Sequence, residues 1–212
     1  MAFVYHGVPS EMVGDVIHPL NQLAVIAPER YELQRSKYLV REAVLDARIA
    51  QDGLLFNDTV HCAPLHPNRL FAARERLGLN PPRADASRAR QTGRFSGLFF
   101  EIPLDHIATQ RLLWYRWETP WINGFPNEDV PLAPPLEEFE PFDASRYREL
   151  PDVTDAHAAY LRRMKETGRQ PLLFVHIPHV LVAGPIDAHR LEVIQWDNPQ
   201  RDRHSLVGDV VE

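Results

Sequence analysis

Apolar and polar residues alternate over short distances along this chain, and the pattern predicts many brief elements. Bulky residues at every second position predict strands, and apolar residues three or four apart predict helices. The predicted strands cover residues 3–8, 97–102, 112–117, 172–175, 180–182 and 191–196. The predicted helices cover residues 10–17, 28–49, 68–77, 104–107 and 154–166, and residues 54–58 and 60–63 are expected to be extended or looped. Because helices and strands do not alternate regularly, we expect an α+β fold.

The longest predicted helix, residues 28–49, carries two arginines that point to a chemistry. Pro28 suits the first turn of this helix. Arg41 and Arg48 lie seven residues apart, about two helical turns, which puts both near one face. A pyrophosphate needs fixed positive donors of this kind. A solvated basic stripe on a surface helix explains the same spacing, so both interpretations stay open.

Length and composition are those of one globular domain. The chain has 212 residues, of which 44% are hydrophobic and 25% charged, and this excludes wholesale disorder. No run approaches the roughly 18–20 apolar residues of a membrane span, and no basic region followed by an apolar stretch opens the chain. The single cysteine, Cys62, cannot form an internal disulfide. We therefore expect one domain over residues 1–212, cytoplasmic and without a membrane partner.

Prolines and charges are unevenly distributed. The chain has 19 prolines and a net charge of −6, yet seven arginines lie between residues 69 and 94 and ten acids between residues 118 and 155. We expect a mobile arginine-rich loop at residues 80–94, a proline-rich acidic excursion at 119–143 and a polar tail at 198–212. The total charge argues against tight nonspecific binding of nucleic acid. The local arginines allow a small anion-binding site, although the codon bias of a GC-rich genome explains them equally well.

The chain lacks the common catalytic motifs. It has neither a glycine-rich phosphate loop nor a nucleophile elbow, and a cysteine on an apolar strand, such as Cys62, is typical of a core residue. The acidic and histidine side chains with the most suggestive spacing are Asp58, His61, His66 and His179. They do not follow an established zinc pattern, so no metal site is predicted. A metal-dependent hydrolase that uses these four residues is kept as an alternative function.

Four positions suit a nucleotide by residue type. His6, at the end of the first predicted strand, can hydrogen-bond a ribose hydroxyl, and Asn57 and Asp58 can bind ribose or amide groups. His179 can act as a general base with a near-neutral pKa. Each residue also has a structural alternative: a satisfied core histidine for His6 and His179, and an Asx turn for Asn57 and Asp58. The residues alone leave these alternatives open.

Three short segments occur in the order that is known from one enzyme family. The first is Val4-Tyr5-His6, the second runs from Arg48 to Pro67, and the third starts at Pro178-His179 and ends with residues 191–196. Together they resemble the DNA-targeting ADP-ribosyltransferase toxins of the DarT type. The resemblance implies an ADP-ribosyltransferase-like fold, with a split mixed sheet and helices packed around it, and NAD as a substrate.

The resemblance also implies roles for individual residues. NAD would lie between the first strand, the helix that carries Arg41 and Arg48, and the loop at residues 61–67. The implied catalytic residues are His6, Arg48 and His179. The implied NAD-binding residues are His6, Tyr38, Arg41, Arg48, Asn57, Asp58, His61 and His66.

Three positions depart from the family's pattern. His179 stands where the family has its catalytic glutamate, Val8 stands where a threonine is expected, and Leu65-His66-Pro67 replaces an arginine-serine-proline turn. Loss of one electrostatic group commonly costs about 3–4 kcal/mol of transition-state stabilisation. Related RNA 2′-phosphotransferases also lack that glutamate and rely on histidine and arginines. We therefore expect altered transferase chemistry.

The resemblance thus implies an NAD-dependent ADP-ribosyltransferase-like enzyme, or an NAD glycohydrolase, that acts on a nucleic-acid base or a nucleotide. The expected partners are NAD, single-stranded nucleic acid or a small-molecule acceptor, and an antitoxin protein. A non-catalytic module that binds a nucleotide or ADP-ribose is the other alternative besides the hydrolase. Bases stack well on aromatic rings, and core packing explains the same ring cluster. The rings concerned are Trp114, Tyr115, Trp117 and Trp121.

Overall fold

Two antiparallel sheets and one short strand pair form the framework of the computed structural model, which describes residues 2–9, 12–38, 42–79, 84, 96–119 and 133–198. The three-stranded sheet has the order β1 (Phe3–Gly7), β4 (Leu98–Pro103), β9 (Glu192–Gln195). The four-stranded sheet has the order β3 (Thr59–Cys62), β7 (His179–Ala183), β5 (Arg111–Tyr115), β6 (Phe139–Pro141). The short strands β2 (Val16–Ile17) and β8 (Ile186–Asp187) pair with each other.

Five α-helices surround these sheets in the described ranges: α1 (Leu20–Ile26), α2 (Pro28–Arg35), α3 (Pro67–Arg76), α4 (Leu104–Ile107) and α5 (Asp155–Glu166). Short 3-10 turns lie at Ser36–Tyr38, Glu42–Asp46, Phe56–Asp58 and Leu136–Glu138. The α+β class is therefore confirmed. The strands of both sheets pair antiparallel, whereas a mixed sheet was expected. None of the described helices has the length and apolar character needed to cross a membrane.

The two sheets share an apolar layer because their strands alternate inward and outward side chains. Val4 and Ile102 of the first sheet pack in one buried cluster with Val60 and Val180 of the second. The outward residues of β1 pack on the other side, where Tyr5 contacts the cluster that includes α3. Residues 5 and 63 also exchange two backbone hydrogen bonds of 2.8 Å, which join β1 to β3. This junction brings the end of β1 next to the four-stranded sheet.

A second cluster covers the other face of the four-stranded sheet. Leu113, Tyr115 and Leu181 point to this face and pack with Ile49 and Phe56. The segment that carries residues 44–56 therefore lies across the sheet as a cover. It lies over the same face that carries the candidate site described below.

Three predicted elements take a different form. Residues 13–17 form a tight turn at Gly14 (φ +62°) and β2 instead of a helix, and residues 10 and 11 lie outside the described residues. The helix predicted over residues 28–49 ends at Arg35; 3-10 turns follow at Ser36–Tyr38 and Glu42–Asp46, and the backbone of residues 47 and 49 pairs with that of residues 54–56. Residues 172–175 are not a strand. The guanidinium of Arg74 donates to the carbonyls of Pro171 and Leu172, and the Tyr160 hydroxyl accepts from the Leu172 N–H, so side chains satisfy that backbone.

Other predictions agree with the structure. Helices α3 and α5 lie within a residue or two of the predicted bounds, and Gly78 and Gly168 follow them with φ of +66°, as C-terminal glycines do. The short helix α1 was not predicted. Arg41, Trp121 and nearly all of the segments 80–94 and 120–132 lie outside the described residues, as does the tail from residue 199.

Replacing Gly97 by alanine is expected to lower the free energy of unfolding by about 2–4 kcal/mol. Gly97 has a φ of +77°, and a Cβ there would lie 2.7 Å from Nε1 of Trp196 and 2.9 Å from Cα of Ala84. Trp196 is fully buried and has no room to move aside. Urea denaturation measures the loss.

The matched control is Gly168→Ala, because Gly168 has a φ of +66° with nothing within 4 Å of the added Cβ. This variant carries only the backbone strain, about 1–2 kcal/mol. Equal losses in the two variants would show that the contact with Trp196 is unimportant.

Candidate functional site

Three strands bring three histidines together: His6 on β1, His61 on β3 and His179 on β7. His61 pairs with Leu181, two residues from His179, so both rings lie on one face of the sheet, with centroids 6.3 Å apart. The junction between β1 and β3 adds His6, whose Nδ1 lies 2.8 Å from the carbonyl oxygen of His61. We call these three residues the histidine cluster.

Each ring of the histidine cluster uses one nitrogen for a backbone carbonyl. His6 donates from Nδ1 to His61, and His61 donates from Nε2 to Phe56 at 3.0 Å. His179 donates from Nδ1 to Ile177 at 2.8 Å. A carbonyl oxygen only accepts, so these nitrogens carry the protons. The lone pairs of the neutral rings therefore lie on Nε2 of His6, Nδ1 of His61 and Nε2 of His179.

The environment keeps the histidine cluster uncharged. Burial lowers the pKa of His179 to about 3 and that of His61 to about 4, and it also lowers the pKa of His6. Each ring would also be repelled by a charge on its neighbour, which lowers the pKa of His61 and His179 further. Hydrogen bonds to backbone carbonyls raise the pKa of each ring, but by less than burial lowers it. The near-neutral pKa expected for His179 is therefore wrong, because the ring is buried and faces other histidines.

Aromatic rings form a wall beside the cluster. The ring centroids of Trp117 and Phe174 lie 5.3 and 5.6 Å from that of His179, and Phe56 lies 4.1 Å from His61. Trp117 in turn stacks on Tyr115 at 5.3 Å with an interplanar angle of 23°. The site is thus a set of neutral hydrogen-bond acceptors against flat apolar faces.

Strained backbone adjoins this wall. Trp117 has a φ of +51° and His176 a φ of +59°, values that side chains larger than glycine rarely adopt. Such conformations persist only where surrounding contacts enforce them, and they are frequent at functional sites. The strand predicted over residues 112–117 ends at Tyr115 for this reason.

Sequence reasoning did not identify Phe174 or Glu138 as part of this region. Glu138 is buried, and its two carboxylate oxygens accept from the backbone N–H of Glu118 at 3.0 Å and of Thr119 at 2.6 Å. Neither the spacing nor the residue types marked these positions. The ring cluster at residues 114–117 was the one signal that pointed towards the wall.

Several residues that the resemblance implied lie elsewhere. Arg48 is exposed and bridges Leu55 through its backbone, so it is not on a helix. Asn57 is buried and donates to the carbonyl of Val44 at 3.3 Å. Tyr38 packs at the edge of the cluster that contains Phe56, which is close to the wall. The structure therefore brings together His6, His61 and His179 from the implied set, and it gives Asn57 a structural role.

Asp58 and His66 also make local contacts. Asp58 accepts from the Leu55 N–H at 2.9 Å and from Nδ2 of Asn21 at 2.8 Å. It lines a surface depression of about 310 Å³ with Pro19, Asn21, Gln22 and Gly184. His66 caps α3 by accepting from the Asn68 N–H at 3.2 Å. The Asx turn that was the alternative for Asp58 is not observed, because its side chain accepts from a residue three positions earlier and closes the 3-10 turn Phe56–Asp58.

The alternative metal site has no support in the described part of the chain. No group of three His, Cys, Asp or Glu side chains there is placed to hold a metal ion. Asp58, His61, His66 and His179 are not assembled as ligands, since Asp58 and His66 are committed to the contacts above. Cys62 is fully buried, and burial raises the pKa of its thiol, so it is not an available nucleophile.

The histidine cluster with its aromatic wall is thus the candidate site that the sheet topology builds. Comparison of the chain with protein-family models, curated proteins and solved structures finds no match.

Proposed function

We propose that the histidine cluster binds NAD and that the chain is an ADP-ribosyltransferase-like enzyme acting on a nucleic-acid base or a nucleotide. One observation carries the proposal: three neutral histidines from three strands, each with one lone-pair nitrogen, lie together beside aromatic rings. The α+β class and the order of the three segments that resemble DarT-type enzymes support it.

The neutrality of the cluster suits oxidised nicotinamide. The pyridinium ring of NAD is a cation, which aromatic faces attract and which charged imidazoles would repel. The low pKa values of His61 and His179 keep these rings uncharged at neutral pH. Nε2 of His6 can accept a hydrogen bond from a hydroxyl of the adjacent ribose. These properties support the proposal that the cluster binds the nicotinamide riboside half of NAD.

The proposed reaction breaks the bond between nicotinamide and ribose. Nicotinamide leaves with the bonding electron pair, and an oxygen or nitrogen of the acceptor forms a new bond to C1 of the ribose. Nε2 of His179 takes the proton that the acceptor loses. A pKa of about 3 makes His179 a weak base, so we expect slow turnover. Arg48 has no part in this scheme because it is exposed at its bridge to Leu55.

A non-catalytic nucleotide-binding module is the second candidate. In the described part of the chain, the pKa values of the three cluster histidines are shifted only by burial, by hydrogen bonds to backbone carbonyls and by the other histidines. No described carboxylate is among the causes of these shifts, and a carboxylate is the group that would stabilise an oxocarbenium-like charge on the ribose. That observation favours binding without turnover.

Nicotinamide release separates the two candidates. We expect purified protein incubated with NAD to release nicotinamide, and to do so faster with single-stranded DNA, RNA or a small nucleotide as acceptor. Thermal denaturation with and without NAD measures binding in parallel. Stabilisation without release would support the binding module, and neither effect with any acceptor would contradict both candidates. The exposed variant His189→Asn serves as the matched histidine control.

A further inference from the structure

The segment that follows β5 is held by one buried carboxylate. Glu138 is 2% exposed, and its two oxygens accept from the consecutive N–H groups of Glu118 and Thr119. The backbone carbonyl of the same residue accepts from the Arg116 N–H at 3.1 Å. Glu138 thus binds this segment twice, once through its backbone as a continuation of the sheet and once through its side chain.

The side-chain contact coincides with the strained residue. Trp117 lies between the backbone contact at residue 116 and the carboxylate contacts at residues 118 and 119. Its φ of +51° turns the two following N–H groups towards one acceptor, as in the backbone nests that bind anions. A carboxylate that accepts both N–H groups offsets the cost of this conformation.

The same conformation sets the position of the indole ring. Trp117 stacks on Tyr115 and lies 5.3 Å from His179 between ring centroids. His176, the second strained residue, interacts with the backbone of Trp117, and this interaction and the charge of Glu138 both raise its pKa against the effect of burial. Contacts from two directions therefore converge on Trp117.

We propose that Glu138 is a positioning residue, whose carboxylate holds residues 117–119 so that the Trp117 ring forms the wall over His179. The importance of this wall for ligand binding rests on the proposed function, in which the ring faces the nicotinamide riboside. Glu138 itself does not touch the ligand. Its loss frees two N–H groups and removes the reason for the left-handed conformation at Trp117, so the ring moves away from His179.

The first test needs no ligand. The imidazole C–H signals of His179 report the nearby indole through its ring current, and His179→Asn assigns them in ¹H–¹³C spectra of histidine-labelled protein. We expect Glu138→Gln to move these signals in the direction given by Trp117→Ala. Glu138→Asp, which keeps the charge but shortens the reach, is expected to move them as well. The adjacent exposed variant Glu137→Gln is the control and is expected to leave them unchanged.

A role in stability alone is distinguished by the second measurement, the affinity for NAD. We expect the Kd of Glu138→Gln to rise about tenfold, the usual value of one stacked ring, while Glu137→Gln binds as the wild type does. Unmoved His179 signals in both Glu138 variants would overturn the positioning role. Moved signals with unchanged affinity would overturn its part in binding. Moved signals in a protein that never binds NAD would uphold the positioning and refute the proposed function.

If Glu138→Gln fails to fold, the variants Glu138→Asp and Trp117→Phe test the positioning role of Glu138 instead. Trp117→Phe keeps an aromatic ring and Glu138, so its His179 signals are expected to move less than those of Trp117→Ala. Glu138→Asp is expected to match Trp117→Ala more closely than Trp117→Phe. The reverse order would contradict the proposal.

Discussion

Replacing His179 by asparagine is expected to lower the rate of nicotinamide release by about 10–10²-fold with little effect on the fold, which is less than the roughly 10²–10⁴-fold that is usual for a positioned general base, because the pKa of His179 is only about 3. The asparagine amide can still donate to the carbonyl of Ile177, as Nδ1 of His179 does at 2.8 Å. It has no counterpart of Nε2, the nitrogen that accepts the proton in the proposed reaction. Initial rates at saturating NAD, with thermal denaturation in parallel, measure both effects.

His179→Glu is the informative companion variant. It introduces a carboxylate, the group that the DarT-type pattern has at the corresponding position, beside the two other histidines of the cluster. We expect its rate to exceed that of His179→Asn, because a carboxylate both accepts a proton and stabilises positive charge on the ribose. An asparagine variant with the wild-type rate would show that His179 is not the base.

Elements with local signals were predictable from the sequence. Strand β1 and helices α3 and α5 carry their own hydrophobic periodicity and their own capping residues, so little tertiary information was needed. Segments whose backbone groups form hydrogen bonds with side chains distant in sequence could not be predicted. The guanidinium of Arg74 binds the carbonyls of residues 171 and 172, about a hundred residues away in sequence. The hydrophobic periodicity of the sequence does not indicate such a contact.

The candidate site divides in the same way. His6 and His179 were identified by residue type at strand ends, and the structure adds the register that places His61 beside them. Arg48 is not on a helix for a local reason, since residues 42–49 form short turns and a backbone bridge, and Arg41 lies outside the described residues. Glu138 was missed because its role depends on the positive φ of Trp117, and the spacing of residues in the sequence does not predict that conformation.

The free energy of unfolding is expected to fall steeply as the pH is lowered from 6.5 towards 5. Burial lowers the pKa of His61 and His157 to about 4 and that of His179 to about 3 in the folded protein, against about 6.5 in the unfolded chain. The unfolded state therefore binds more protons in this range. The stabilisation is complete above pH 6.5 and is lost progressively towards the folded pKa values.

Each of these histidines contributes a slope of up to about 1.4 kcal/mol per pH unit, or about 4 kcal/mol per unit for the three. A loss of that size is comparable with the whole stability of an ordinary domain, so acid unfolding is expected near pH 5. Most carboxylates remain ionised above that pH, so the range from 6.5 to 5 isolates the histidines. Urea denaturation at half-unit pH intervals measures the slope.

The variant His157→Gln tests the assignment away from the candidate site. His157 is fully buried in α5, donates from Nδ1 to the carbonyl of Val175 at 2.6 Å and is not one of the three residues of the histidine cluster. Its removal is expected to reduce the slope by up to about 1.4 kcal/mol per pH unit, whatever it does to stability at pH 7.5. The exposed His189→Asn is expected to leave the slope unchanged. A flat stability profile between pH 6.5 and 5 in the wild type would mean that these rings protonate as readily in the folded protein as in the unfolded chain, and it would refute the lowered pKa values of His61, His157 and His179.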